Sequence, residues 1–255
     1  MPRFSANISM MFTEHDFLDR FSAARDAGFE AVEFLFPYDH SAEEIGDAIR
    51  RNGLDVSVFN LSPGDWDAGD RGLACIAGRE AEFRASIDKA LPYTAEAGAK
   101  RLHVMAGIRG DASRERALSC FMENLRYASG KFGEAGLDAL IEPINSRDMP
   151  GYLLSSTDLA ADILKEINLP NVGLQFDIYH HQITHGDVVR SLEKYMPLIR
   201  HIQIAGVPHR REPDEGELNY AHVFEQLDAL GYEGWVGCEY RPKAGTVEGL
   251  GWMRR

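Results

Sequence analysis

The sequence predicts an α/β fold, a single (β/α)8 TIM barrel spanning residues 1–255, and three observations carry that prediction. One phrase recurs along the chain: an amphipathic helix, a turn built on Gly or Pro, then a short β-rich run. Eight such runs can be read once the N-terminal Arg-Phe-Ser-Ala-Asn is included. No long linker, charge block or low-complexity stretch divides the 255 residues, and a barrel of this type takes about 250. Strands alternating with helices imply βαβ units and a parallel sheet. Eight units favour closure over an open sheet.

The elements follow in order. After strand one at 3–7, Asp16 is placed to cap a helix with Phe17, Leu18, Phe21 and Ala24 on one side. Ala27-Gly28-Phe29-Glu30 ends it and leads into strand two at 31–35. Ser41 with Glu44 three residues later reads as a capping box. That helix stops at Asn52-Gly53-Leu54, before strand three at 55–60. Ala97-Gly98-Ala99-Lys100 precedes strand four at 101–105. Ser113 opens a long helix bearing Leu118, Phe121, Leu125 and Ala128, and Ala135-Gly136-Leu137 closes it before strand five at 138–142. Leu169-Pro170-Asn171 and Met196-Pro197 precede strands six and seven, at 172–177 and 199–205. Asn219 caps the helix with Val223, Phe224, Leu227 and Leu230, and Gly231 leads to strand eight at 235–239. Gly after a helix suits a left-handed C-cap, and Pro cannot prolong the helix.

Strand parity then sorts side chains, because successive residues point to opposite faces. Leu174 and Phe176 share one face and Gln175 and Asp177 the other; Ile202 and Ile204 oppose His201 and Gln203; Leu102 and Val104 oppose His103 and Met105. The apolar sets belong under the helices. Gln175, His103 and His201 would be costly there without partners, so the polar sets are expected to line the lumen.

Four strands end on polar residues of that lumen parity: Glu142, Asp177, Gln203 and Glu239. Any one of them could merely cap the loop that follows. Four on successive strands point instead to a site, since C-terminal strand ends build the active face of such barrels. Three carboxylates and an amide, without Cys or His, suit Mg²⁺ or Mn²⁺ better than Zn²⁺. His180, three residues after Asp177, is placed over the site, whereas His181 and His185 read as ordinary loop residues. The segment Pro208-His209-Arg210-Arg211 is cation-rich, and Arg forks suit carboxylates. His209 and Arg210 are its better candidates for binding a substrate acid. The long Gly-rich stretch 61–72 reads as a lid, with Trp66 either over the site or against a neighbouring subunit of a homo-oligomer. Asn7, Glu33 and Lys243 lie near strand ends and are weaker candidates for contact with substrate.

Bulk properties exclude other classes. A net charge of −13 opposes a nucleic-acid partner, which needs a basic surface. No apolar run approaches the ~20 residues of a membrane span. There is no P-loop and no GxGxxG. The opening Met-Pro-Arg-Phe-Ser-Ala-Asn lacks a signal-peptide core, and Cys75, Cys120 and Cys238 form no CxxC pair, so a cytoplasmic protein with reduced thiols is expected.

Longer strings carry a resemblance. Arg3-Phe-Ser-Ala-Asn-Ile-Ser-Met-Met-Phe12, Val32-Glu-Phe-Leu-Phe-Pro-Tyr38, Pro63-Gly-Asp-Trp66, Ile141-Glu-Pro-Ile-Asn145, Asp177-Ile-Tyr-His180, His201-Ile-Gln-Ile-Ala205, Pro208-His-Arg210, Gly216-Glu-Leu-Asn-Tyr220 and Gly237-Cys-Glu-Tyr240 resemble the hydroxypyruvate isomerase family of xylose isomerase-like barrels, nearly end to end. The resemblance implies a metal-assisted isomerase of a small sugar acid, with acid/base glutamates at Glu142 and Glu239. It implies metal ligands at Glu142, Asp177, Gln203 and Glu239. Related ketose epimerases carry His where this chain has Gln203. Gln203-Ile-Ala-Gly206-Val-Pro resembles the 2-oxo-tetronate isomerase branch, and Glu142-Pro-Ile-Asn resembles hydroxypyruvate isomerase proper, so both substrate lengths stay open. A ketose 3-epimerase, a barrel endonuclease and a non-catalytic sugar-acid binder are the competing classes.

Overall fold

A computed structural model describes residues 1–254. Eight strands, β1 (Arg3–Asn7), β2 (Ala31–Phe34), β3 (Asp55–Asn60), β4 (Arg101–His103), β5 (Asp138–Ile141), β6 (Val172–Asp177), β7 (Ile199–Ile204) and β8 (Trp235–Cys238), form a closed barrel in sequence order. Every pairing is parallel, including β1 with β8, where Phe4 sits beside Val236 and Ala6 beside Cys238. Each strand lies within two residues of the segment expected for it. The outer layer is α1 (Arg20–Asp26), α2 (Ala42–Asn52), α3 (Glu80–Ala97), α4 (Arg114–Glu134), α5 (Thr157–Ile167), α6 (Ile178–Thr184), α7 (Val188–Tyr195) and α8 (Tyr220–Ala229), with a 3-10 segment over Val247–Arg254 after β8.

Local chemistry explains the boundaries. The Ser41 hydroxyl accepts from the Glu44 amide while the Glu44 carboxylate accepts from Ser41, the capping box that starts α2. Ser113 and Asn219 accept from the amides of Arg116 and His222. Asp16 differs from expectation: its side chain makes no cap. The chain leaves it as a 3-10 turn over Phe17–Asp19, so the Asp16 carbonyl takes the amides of Asp19 and Arg20 instead. Gly53 and Gly98 end α2 and α3 in the left-handed region, with φ of +59° and +66°.

The core divides as parity requires. Leu174, Phe176, Ile202, Ile204, Leu102 and Val104 are buried beneath the helices. The lumen carries a polar layer unusual for a protein interior. Glu33, fully buried, reaches across the barrel to accept from Asn7 Nδ2 (3.1 Å), Ser57 Oγ (3.1 Å) and Gln203 Nε2 (2.7 Å), and it pairs with His201 Nε2 (2.7 Å). That crossing is possible because β8 carries Gly237 there: a Cβ at this position would lie 2.2 Å from a Glu33 oxygen.

Candidate active site

Above the polar layer a cavity of about 490 Å³ opens at the C-terminal ends of the strands. Glu142, His180, His209, Arg210, Glu239 and Trp66 are among its lining residues. Glu142 follows β5 and Glu239 follows β8, three strands apart in the ring of eight, and both are buried. Asp177 ends β6 beside Gln203 of β7 in the same register. The helix that begins at once after Asp177 then lifts His180 onto the carboxylates: its Nε2 is 3.5 Å from Asp177 Oδ2 and 3.9 Å from Glu142 Oε1.

Arg210 sits among these acids. Its guanidinium lies 3.1 Å from Glu239, 3.6 Å from Asp177 and 3.7 Å from Asp148, and stands over the Tyr179 ring at 5.0 Å. A left-handed backbone at Arg210 (φ +53°), a conformation that costs a non-glycine residue about 1–3 kcal/mol, aims it inward. Burial works against the charge of Arg210, but Glu239, Asp177 and Glu142 outweigh it and keep the group protonated.

Burial dominates the carboxylates. It pushes Glu239 up to about 8 and Asp177 up to about 6, with Arg210 opposing the rise in both. Burial, then the charges of Glu239 and Asp177, hold Glu142 well above the usual 4.5. Burial likewise holds His180 well below 6.5, with Arg210 adding to the effect, so its ring is neutral. Burial, then His201, takes His103 down to about 3; its Nδ1 lies 3.4 Å from Glu142.

The tautomer of His180 follows from its neighbour. Asn145 Oδ1 accepts from the amides of Arg147 and Asp148, which fixes the orientation of its side chain. Asn145 Nδ2 therefore donates to His180 Nδ1 at 2.6 Å. A neutral ring accepting at Nδ1 carries its proton on Nε2, the atom turned toward Glu142 and Asp177. His180 is thus a hydrogen-bond donor to the cavity, although Glu142, Asp177 and His180 offer atoms within 4.8 Å of one another in the manner of a metal site.

With His180 set aside as a donor, the ligands available to a cation are oxygens. Asp177 Oδ2 is buried without a hydrogen bond, and Glu142 and Glu239 lie close by. Glu33 fixes the Gln203 amide by accepting from its Nε2, and Gln203 Oε1 accepts from Gln175 Nε2 at 2.7 Å, which leaves it a second lone pair. These residues fit a hard divalent ion such as Mg²⁺ or Mn²⁺. Three carboxylates against one guanidinium and one dication would be close to neutral.

Other residues named from the sequence fall into place less evenly. His209 lines the mouth and is exposed, and Trp66 lies at the rim against Phe36 at 5.6 Å. Asn7 is buried below the cavity as a partner of Glu33 and does not line it. Lys243 is exposed and pairs with Glu215 at 2.9 Å, so it too stays out of the lining. His181 is a buried helix residue bonded to Thr157, because the loop expected after β6 is a helix. Asn145, Asp148 and Tyr179 were not singled out from the sequence. Asn145 stands three residues after a catalytic candidate, which was its only local signal.

Residues 21–255 match the family described as the xylose isomerase-like TIM barrel. The chain is 55% identical over its whole length to a 2-oxo-tetronate isomerase of Cupriavidus necator, covering 98% of that protein. It is 43% identical to a hydroxypyruvate isomerase of Escherichia coli, over 99% of this chain and 98% of that one. A crystal structure of a protein named AP endonuclease, family 2, from Brucella melitensis superimposes with a TM-score of 0.98 at 48% identity, covering 100% of this chain and 98% of that one. The chain belongs to the xylose isomerase-like TIM barrel family. Within it, the chain groups with curated relatives named as isomerases of 2-oxo-tetronate and hydroxypyruvate.

Proposed function

We propose that this chain is an isomerase of short 2-oxo acids that moves a carbonyl between adjacent carbons: 2-oxo-tetronate to 3-oxo-tetronate, or hydroxypyruvate to tartronate semialdehyde. The observation that carries the proposal is the buried pair Glu142 and Glu239, held on walls three strands apart. Between them lies space for a small molecule, and each can exchange a proton with it. One glutamate takes the proton from C3 of the substrate, and an enediolate forms. The other delivers a proton to C2, while the hydroxyl proton passes from O3 to O2. Positioned acid–base groups of this kind contribute about 10²–10⁴-fold.

His180, with its proton on Nε2, donates to a substrate oxygen and polarises the carbonyl. Arg210 holds Glu239 and Asp177 in place and balances their charge. A Mg²⁺ or Mn²⁺ held by Glu142, Asp177, Glu239 and the Gln203 amide oxygen would supply a Lewis acid for the charge developing on the substrate oxygens. EDTA treatment is expected to abolish turnover, and added Mg²⁺ or Mn²⁺ to restore it. Full activity after exhaustive chelation would remove the metal from the scheme.

The 55% identical relative favours the four-carbon acid. Proton NMR of hydroxypyruvate and of both 2-oxo-tetronate enantiomers in D₂O, with purified protein, tests the proposal. The isomeric product is expected, with solvent deuterium at the new C–H carbon, and the kcat/KM values will rank the substrates. Unchanged spectra for all three would sink it. The endonuclease name of the Brucella protein raises the nuclease reading, which the −13 charge of this chain opposes. Nicking of plasmid DNA would reinstate it.

A further inference from the structure

The cation at the centre of the cavity is already committed. Arg210 faces three carboxylates, so its fork is not free for a substrate acid. Arg71 differs. It lines the same cavity, half-buried, and forms no ion pair among the described residues. Asp70, next to it, gives both oxygens to Arg79 at 2.7 and 2.8 Å. One nitrogen of Arg71, Nη1, bonds the carbonyls of Trp66 (2.9 Å) and Asp70 (2.6 Å), and its guanidinium carbon lies 3.8 Å from the centre of the Trp66 ring. Its Nε and Nη2 remain as donors, an edge that matches a carboxylate.

The surrounding loop is shaped to hold that fork. Gly64 (φ +91°) closes on Asp70, whose Oδ2 also accepts from Asp65 N, and Gly72 (φ +110°) packs on the Met105 carbonyl, where a Cβ would lie 2.5 Å away. The loop follows β3 and Arg210 follows β7, so Arg71 and Arg210 lie on opposite sides of the eight-strand ring.

We infer that Arg71 is the substrate-carboxylate anchor, binding the acid end of the ligand beside Trp66 while the reacting carbons lie between Glu142 and Glu239. The inference rests on the isomerase reading for the kind of acid, and its test separates the two. Hydroxypyruvate and dihydroxyacetone differ only in a carboxylate replaced by a hydroxymethyl group, as do 2-oxo-tetronate and erythrulose. Arg71→Gln is expected to reduce the preference in kcat/KM for the acid of each pair by roughly 10–10²-fold. The loss should fall mainly on KM, with partial recovery in Arg71→Lys. A loop that had only lost its shape would weaken acid and neutral ligand alike. Equilibrium binding of glycerate against glycerol, read by the fluorescence of Trp66 with Trp66→Phe as the blank, needs no turnover. Wild type should bind glycerate in preference to glycerol, and Arg71→Gln should lose that preference. If wild type turns over the acids and Arg71→Gln keeps the acid preference, Arg71 is not the anchor and the isomerase reading stands. If wild type turns over nothing, the isomerase reading falls and the glycerate titration alone decides Arg71: discrimination that is absent from wild type, or unchanged in Arg71→Gln, overturns the assignment.

Discussion

Glu142 and Glu239 differ from ordinary surface carboxylates in one respect: the fold keeps them dry. A buried carboxylate is a stronger base and a poised acid near neutral pH. Glu142→Gln and Glu239→Gln keep shape but lose the ionisable carboxylate, and with it both the proton-transfer group and the charged oxygen available to a cation. Each is expected to lower kcat by about 10²–10⁴-fold with an unchanged circular dichroism spectrum; near-wild-type turnover in either variant would remove it from the acid/base pair. The neighbouring polar residues act through geometry. Asn145 is bonded on three sides and sets which nitrogen of His180 carries the proton. That role depends on the turn after β5, which the spacing of Asn145 from Glu142 does not specify by itself.

At the scale of elements, strands β1, β2, β3 and β7 are tied to one another through Glu33. The carboxylate crosses the lumen to His201 and Gln203, and Gly237 makes room for it. Gly237→Ala would force Glu33 aside and unsettle several buried hydrogen bonds. The expected cost is about 1–3 kcal/mol of stability by overpacking, read as a lower midpoint in urea unfolding. An unchanged midpoint would mean that Glu33 has another path. The helices were more legible than this layer. Ser41, Ser113 and Asn219 start their helices as the sequence suggests because a cap is a contact between residues two or three apart. Asp16 shows the limit: its carboxylate can cap, but the 3-10 entry gives that role to its carbonyl.

For the whole molecule, buried ionisable groups couple stability to pH. In the folded, metal-free protein Glu239 titrates at about 8 against its usual 4.5. A carboxyl raised in this way binds its proton more tightly folded than unfolded. Its stabilising contribution is present below about 4.5 and is lost as pH rises toward about 8. His103, lowered to about 3 from 6.5, works the other way: its contribution is present above about 6.5 and is lost as pH falls. Glu239→Gln removes the first effect, together with the part of the Glu142 shift that the charge of Glu239 causes, and leaves His103 in place. In EDTA, the thermal midpoint of the variant relative to wild type is expected to rise steadily between pH 5 and pH 8. A constant difference would show that Glu239 is not raised.

Periodicity, turn residues and strand parity were enough to read eight strands, their order of alternation with helices, and which face of strands four, six and seven is polar. Those properties are local: they follow from pleating, helix periodicity and the conformations open to Gly and Pro. The same parity brought Glu142, Asp177, Gln203 and Glu239 toward one lumen. Only closure of the barrel decided what each residue meets there. It set Arg210 among the acids, pointed the amide nitrogen of Gln203 at Glu33, buried Asn7 beneath the cavity, left Lys243 outside, and brought Arg71 to the wall. Those contacts join residues up to 170 positions apart, and burial, which sets the proton affinities of the site, is a property of the assembled barrel alone.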